Sequence, residues 1–434
     1  MPDWFINDVQ KLFVKFLWSG KTPKVKYTSV IADFENGGLK LPDFRSKIKA
    51  LKLAWIQRFF DGSKQVWKDF LTLACDNKVN LIIYAATKKK DLPINIGSFY
   101  AQVFDYWHEF YYKEPKLADD IRRTILWCNF DVLVDNKTVI YGKWLENGII
   151  CLRDICSDDG KILSLNEMAI KYNFDVDFMQ YMSLRSAIPA EWKTMIRNAV
   201  NKNVTIDINA IPTVSLGKLT KNLAKVKSRD IYWHFVDKVT TLPTSKNKWV
   251  EMYKMDFDEI RWKYVYSLPH YVVIDTYLQS FQFKIIHRIF TCGRYLYKIG
   301  ERTDSLCHFC TSQSDDDLLH YFYACNPVKT FWSAISNFWR QTLKIGIVLN
   351  EFEILFGVYN PNNDYVLDAV NFMIILAKVY IYNCKSENVV LNLQTYCKRL
   401  KAKLDVTRCI AYNNGKKHHF DKKWGNILNF LTID

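Results

Sequence analysis

Four residues between positions 307 and 325 combine the types and the spacing that hold a metal ion: Cys307, Cys310, His320 and Cys325. A CxxC turn lets two thiolates reach one tetrahedral ion, and a histidine and a third cysteine follow within the next fifteen residues. Three sulfurs and one imidazole favour zinc over hard cations. The spacing predicts a structural zinc site. The alternatives are chance proximity and a cysteine–histidine nucleophile, for which no oxyanion-hole signature lies nearby.

The residues around this cluster predict the elements that position it. Ser314 can cap a short helix that presents His320, with Asp315–Asp317 in the positive first turn. Asn326-Pro327 would end that helix directly after Cys325. The three aspartates could instead form a carboxylate metal cluster, but charge at a helix N-terminus is the simpler interpretation.

A basic amphipathic helix is predicted over 280–300, immediately before the cluster. Phe281, Ile285 and Ile289 recur on one face at helical spacing. The candidate phosphate contacts on the opposite face and just beyond it are Lys284, His287, Arg288 and Arg294. An ordinary solvated face is the alternative. Trp262 and Tyr295 could stack on unpaired bases, with a place in the core as the alternative for each.

A second basic stretch lies in residues 201–230, which have little core potential and are predicted to be a linker. No acidic residue lies between positions 218 and 229. The further candidate phosphate contacts there are Lys218, Lys221, Lys225, Lys227 and Arg229. Such spacing suits the phosphates of a strand or duplex. It also suits a flexible solvated linker.

Composition indicates a mainly α, multi-helical fold with a few short strands or loops and a small CCHC zinc-binding module. The chain has 434 residues, of which 49% are hydrophobic, and only 15 are glycine and 11 proline. This length and the local patterns predict several parts. They are a helical segment over 1–70, a helical subdomain over 71–200, the basic linker over 201–230, and a helical domain over 231–434 with the zinc module at 280–345.

The net charge of +15 predicts a polyanionic partner. Nucleic acid is the first candidate and an anionic membrane surface is the second. The alternative is a lysine-rich solvated surface that binds no polyanion. The 11 cysteines are mostly scattered singly, and the amphipathic start indicates no secretory signal. Both features predict a reducing compartment. The apolar run over 366–382 contains Asp368, Asn371 and Lys378, so it is expected to be a buried helix and not a membrane span.

The order of several loose motifs resembles the C-terminal region of the polymerase polyprotein of non-LTR retrotransposons, the long interspersed (LINE-type) elements. The motifs cover nearly the whole chain and are, in order, FLWSGK (16–21), GGLKLPDF (37–44), KALKLAWIQR (49–58), KWLENGI (143–149), SLRSAIPAEW (183–192), SRDIYWHF (228–235), IRWKYVYSLP (260–269), FQFKIIHRI (281–289), the cysteine–histidine cluster running into FW (331–332), ILFG (354–357) and AKVYIY (377–382). In this family the cluster is called the reverse transcriptase zinc-binding domain.

The resemblance implies a nucleic-acid-binding region that helps to hold element RNA and target DNA during target-primed reverse transcription. It also implies a ribonucleoprotein of the cytoplasm and nucleus, with no membrane and no small-molecule substrate. The parent family is an RNA-directed DNA polymerase, whose palm carries an aromatic residue followed by Ala-Asp-Asp. Leu117-Ala118-Asp119-Asp120 departs from that signature and precedes a helical pattern, so these aspartates are interpreted as a helix start.

We therefore expect no catalytic site in these residues. Three alternatives remain at this stage. The chain could be a zinc-stabilised protein-interaction adaptor, a non-functional fragment derived from a retrotransposon, or a nuclease or polymerase whose catalytic residues are not recognised.

Overall fold

The protein is mainly helical, which confirms the fold class that the composition indicates. The computed structural model describes residues 2–88, 90, 92, 96–197, 206–217, 219–254 and 256–431. Helix accounts for 61% of the structure and strand for 4%. In the described residues the strands form antiparallel hairpins, β1 (Leu133–Val134) with β2 (Lys137–Thr138) and β3 (Thr213–Leu216) with β4 (Leu219–Asn222).

Helices follow one another along the described residues, separated by connections of very different length. Those of the first half are α1 (Asp3–Leu17), α2 (Tyr27–Val30), α3 (Phe44–Phe59), α4 (Val66–Ala74), α5 (Val79–Ala85), α6 (Gly97–Tyr111), α7 (Ala118–Arg122), α8 (Gly142–Glu146), α9 (Leu165–Tyr172), α10 (Phe178–Ala187) and α11 (Ala190–Ile196). Those of the second half are α12 (Ser228–Val239), α13 (Ser245–Tyr253), α14 (Glu259–Val272), α15 (Thr276–Ile286), α16 (Gly293–Lys298), α17 (Asn326–Leu343), α18 (Glu351–Phe356), α19 (Tyr365–Glu387), α20 (Leu393–Asn413) and α21 (Lys417–Leu431).

Local sequence signals account for several of these boundaries. The Asp43 carboxylate accepts a hydrogen bond from Ser46 N at 2.8 Å and so caps α3. Ser164 and Glu167 form a capping box at the start of α9, as their spacing predicts. Pro189 separates α10 from α11, because the residue before a proline is disfavoured in helical conformation.

The contacts divide the chain differently from the sequence-based segments. Unit 1 comprises Met1–Pro42 with Val239–Asp434, and unit 2 comprises Asp43–Lys238. In unit 1 the Phe34 ring stacks on the His270 ring with centroids 3.6 Å apart. The N-terminal segment therefore belongs with the C-terminal half. Composition could not indicate this, because the contacts join residues more than two hundred positions apart.

Residues 206–230 are part of the core of unit 2 where the structure describes them, and the prediction of a linker there is wrong. Val214, Leu223 and Val226 are buried. The Gln57 amide donates a hydrogen bond to the Leu223 carbonyl at 2.9 Å. The sequence favours a linker here because the few apolar residues, which the fold buries, alternate with solvent-facing lysines.

Helix α19 forms the centre of unit 1. Its buried Lys378 Nζ donates to the carbonyls of Ile354 and Leu355 at the end of α18, at 2.7 and 3.3 Å. By length and composition α19 is long and apolar enough to cross a membrane, alone among the described helices. However, 72% of its most apolar window is buried inside the fold, as the sequence predicts for a core helix.

Candidate metal centre

The structure brings the four predicted ligands together. One ligand atom from each of Cys307, Cys310, His320 and Cys325 lies within 4.8 Å of the others. The Cys310 sulfur is 3.4 Å from His320 Nε2. A tetrahedral ion with bonds of about 2.3 Å places its ligands roughly 3.8 Å apart. The four side chains can therefore bind one metal ion with only small adjustments.

A small loop fixes the first two cysteines. Residues Leu306 and Asp315 form an antiparallel bridge, and Cys307 N donates to the Ser314 carbonyl at 2.9 Å. Arg302 closes the base of the loop by donating to the Leu306 carbonyl at 2.9 Å. These bonds hold the backbone between Leu306 and Asp315 in a narrow turn. The turn places the Cys307 and Cys310 sulfurs on the same side.

His320 is presented by a short helical turn, but its cap differs from the predicted one. Asp317, and not Ser314, accepts the hydrogen bond from His320 N, at 2.9 Å. The helical conformation begins after Asp317 and passes into a π-turn over His320–Ala324. Ser314 cannot be the cap because it lies in the loop, paired with Cys307, four residues before the first helical residue, Leu318.

Cys325 separates this turn from the next helix. Its backbone is extended, with ψ 127°, and it occupies the N-cap position of α17. Pro327 lies in the first turn of α17, where its missing N–H costs nothing. The sequence predicted a stop at Asn326-Pro327, and the structure shows that the same residues also begin a new helix. The fourth ligand thus comes from the junction of two helices.

A buried lysine from α19 lies beside the cluster. The Lys385 ammonium is 3.7 Å from the Cys307 sulfur and 3.4 Å from the Asp316 carboxylate. The side chains of Lys385 and Asp316 are only 4% and 7% exposed. Lys385 lies sixty residues beyond Cys325 and has no metal-ligand spacing, so only the packing of α19 could reveal it.

The cation favours the charged form of the cysteine cluster. Hydrogen bonding between the Cys307 and Cys325 sulfurs lowers the pKa of Cys307 and raises that of Cys325. The nearby Lys385 charge also lowers the pKa of Cys307. Because the thiolate is the form that binds metals, the Lys385 charge favours metal binding by these cysteines.

The predicted basic helix over 280–300 is broken in the structure. Helix α15 ends at Ile286, and α16 begins at Gly293. Arg288 has a positive φ of 55°, a conformation that ends a helix and is unusual for a side chain of this size. Lys284 is exposed as predicted, but His287 is 6% exposed and lies against the Phe283 ring. His287 is therefore a core residue and not a phosphate contact.

The two arginines of this region already contact protein groups. The Arg288 guanidinium lies 4.4 Å from the centre of the Trp249 ring. Arg294 is 61% exposed and faces Asp315 and Asp317 at 3.9 and 3.8 Å. Among the described residues no acidic side chain or aromatic ring contacts Lys284, which is therefore the better-placed candidate of the three for a phosphate.

The second basic stretch keeps most of its predicted exposure. Lys225, Lys227 and Arg229 are exposed, whereas Lys221 is 4.0 Å from Asp230. Lys218 lies outside the described residues. Of the two candidate stacking residues, Trp262 is buried and donates to Asp256 at 2.6 Å. The half-buried ring of Tyr295 is covered by the Lys24 ammonium at 4.8 Å.

The buried imidazole of His287 has a consequence for stability. Burial lowers the pKa of His287 to about 4, so folding is favoured above the unfolded pKa of about 6.5 and disfavoured as pH falls from there toward 4. Between about pH 7.5 and 5.5, the free energy of unfolding should fall about 1.3 kcal/mol more in the wild type than in His287→Phe. Denaturant titrations at both pH values measure this. His418→Phe, at an exposed position, should follow the wild type. Parallel curves for wild type and His287→Phe would contradict a buried neutral imidazole.

Comparison with protein-family models and with curated proteins returns no match for this chain.

Proposed function

We propose that this chain is a nucleic-acid-binding region of a LINE-type reverse transcriptase, built around a structural zinc ion held by Cys307, Cys310, His320 and Cys325. The observation that carries the proposal is the closed ligand set. Three sulfurs and one imidazole supply four ligands, which fill a tetrahedral ion and leave no open position for a substrate. Such a zinc ion supplies folding energy to the elements that hold it.

The charge distribution supports nucleic acid as the partner. The chain has a net charge of +15, and the exposed cations include Lys225, Lys227, Arg229 and Lys284. Such cations neutralise phosphates and release counterions when nucleic acid binds. The ordered motifs that resemble LINE-type polymerases favour element RNA and target DNA among the polyanions.

Two measurements test the proposal. Metal analysis of protein purified without chelator should give one zinc ion per chain. Binding of a labelled RNA should weaken steeply with salt, with a log–log slope of about −0.7 for each phosphate contact on a single strand. A slope near zero, or no binding in about 50 mM salt, would contradict the nucleic-acid function.

One observation favours a protein-interaction adaptor as the second candidate. Val66, Phe70 and Leu73 recur along one face of α4 and are 84%, 68% and 71% exposed. An exposed apolar stripe of this kind is typical of interaction surfaces. An adaptor of this type would still contain one zinc ion but would show no salt-dependent RNA binding, so the same two measurements separate the candidates.

A further inference from the structure

The N-terminal segment of unit 1 forms a groove that the predicted binding residues do not include. One wall is α1, and the other is the chain that follows it, up to Tyr27. The reversal between them needs Gly20, whose φ is +76° and whose N–H donates to the Lys15 carbonyl at 2.8 Å. This bond closes the end of α1 and turns the chain back along the helix.

The groove is cationic and polar. Its volume is about 520 Å³, within the range of about 300–1,000 Å³ that ligand pockets span. Among its lining residues are Asn7, Gln10, Lys11, Lys15, Lys21 and Tyr27. They include cations, amides and one aromatic ring, and none is acidic. The neighbouring sequence extends this character, because residues 9–32 contain five lysines and no acid.

The lysines are placed to act together. Lys11 and Lys15 are four residues apart on α1, so they lie on the same face, one turn from each other. Lys21 approaches from the opposite wall, beyond the Gly20 turn. Lys11 also contacts Asp8 at 3.1 Å, but both side chains are well exposed, at 78% and 57%. A surface pair of this kind contributes little and yields readily to a phosphate.

We propose that this groove binds single-stranded nucleic acid, with backbone phosphates on Lys11, Lys15 and Lys21 and a base against Tyr27. A positive groove that follows the backbone, combined with an aromatic side chain for stacking, is how proteins hold single strands. A duplex keeps its bases paired inside and offers none to a ring. The inference rests on the proposed nucleic-acid function and assigns it to a surface outside residues 218–229 and 284–294.

The test uses the full chain and a fluorescein-labelled single-stranded RNA of 20 nucleotides, with fluorescence anisotropy over a range of salt. The triple variant K11Q/K15Q/K21Q should bind at least about tenfold more weakly, and its log–log salt slope should be smaller by about 2, since three contacts contribute about 0.7 each. The matched control K64Q/K137Q/K143Q removes the same charge from exposed positions of unit 2 and should bind like the wild type.

A second readout does not depend on the variants. RNA that contains 4-thiouridine should crosslink, on irradiation, to peptides within residues 7–27. The same RNA annealed into a blunt duplex should compete weakly, and inorganic phosphate should not compete at millimolar concentration.

The outcomes separate this inference from the proposed function. If the wild type shows no salt-dependent binding, the proposed function fails. If the wild type binds but both triple variants bind equally well, and crosslinks fall outside residues 7–27, the function stands and the groove is not its site. Equal weakening of both triple variants would mean that net charge alone drives binding, and stronger competition by the duplex would also overturn the inference.

Discussion

Replacement of Cys310 by serine is expected to abolish zinc binding and to lower the stability of unit 1 by about 3 kcal/mol or more. Structural zinc supplies roughly 10–16 kcal/mol in isolated zinc-finger peptides, and we expect a smaller loss here because unit 1 also has a large apolar core. Cys310 suits this experiment because it is only half-buried. Its substitution removes a ligand and disturbs little packing. Metal analysis and thermal unfolding provide the two readouts.

A matched cysteine makes the result specific. Cys292 is buried in the same unit and lies outside the ligand set, so Cys292→Ser should keep one zinc ion per chain and its response to chelator. A strong chelator should lower the melting transition of the wild type and leave Cys310→Ser unchanged. Retention of zinc by Cys310→Ser, with an unaltered transition, would rule out the four-ligand site.

The second large effect concerns the buried ion pair beside the metal centre. Lys385→Met should lower the free energy of unfolding by about 3–5 kcal/mol, because it leaves the buried Asp316 carboxylate without its cation. Burial already raises the pKa of Asp316, and the Lys385 charge opposes that rise. The variant should also bind zinc about 10- to 100-fold more weakly, as losses of residues around metal ligands do. Denaturant titration measures the first effect and transfer of zinc to a chromogenic chelator the second.

A double-mutant cycle separates the pair from packing. Asp316→Asn combined with Lys385→Met removes both charges and should be more stable than Lys385→Met alone. Lys403→Met is the control, because Lys403 also pairs with an aspartate, Asp275, but with a side chain that is 44% exposed. Its cost should be about 1 kcal/mol or less. If Lys385→Met costs no more than Lys403→Met, Lys385 does not balance the charge of the centre.

The sequence was most informative where the signal is local. The CxxC turn and the following histidine and cysteine identified all four members of the cluster, since the ligands of a small metal site lie within twenty residues of each other. Helix caps such as Ser164 with Glu167 were also predicted correctly from the sequence. The mainly helical class followed from composition, because sparse glycine and proline disfavour turn-rich folds.

Local reasoning failed where two interpretations share one pattern. His287 follows Lys284 by three residues and was therefore assigned to the basic face, yet the chain leaves the helix at Arg288 and buries the imidazole. No glycine marks the end of the helix at Arg288, so the spacing of apolar residues predicts that the helix continues beyond it. Ser314 is a suitable cap by residue type, but the helix begins four residues later, at Leu318, and Asp317 caps it.

By itself, the sequence determined the helical class, the four members of the cysteine–histidine cluster and the basic character of the chain, since each depends on residue type and short spacing. Only the tertiary structure decided which charges meet. It placed Lys385 against Cys307 and Asp316, grouped residues 1–42 with the C-terminal half, and formed the lysine groove beside α1. The physical reason is that burial and ion pairing depend on distances between residues far apart in the chain, and no local pattern encodes those distances.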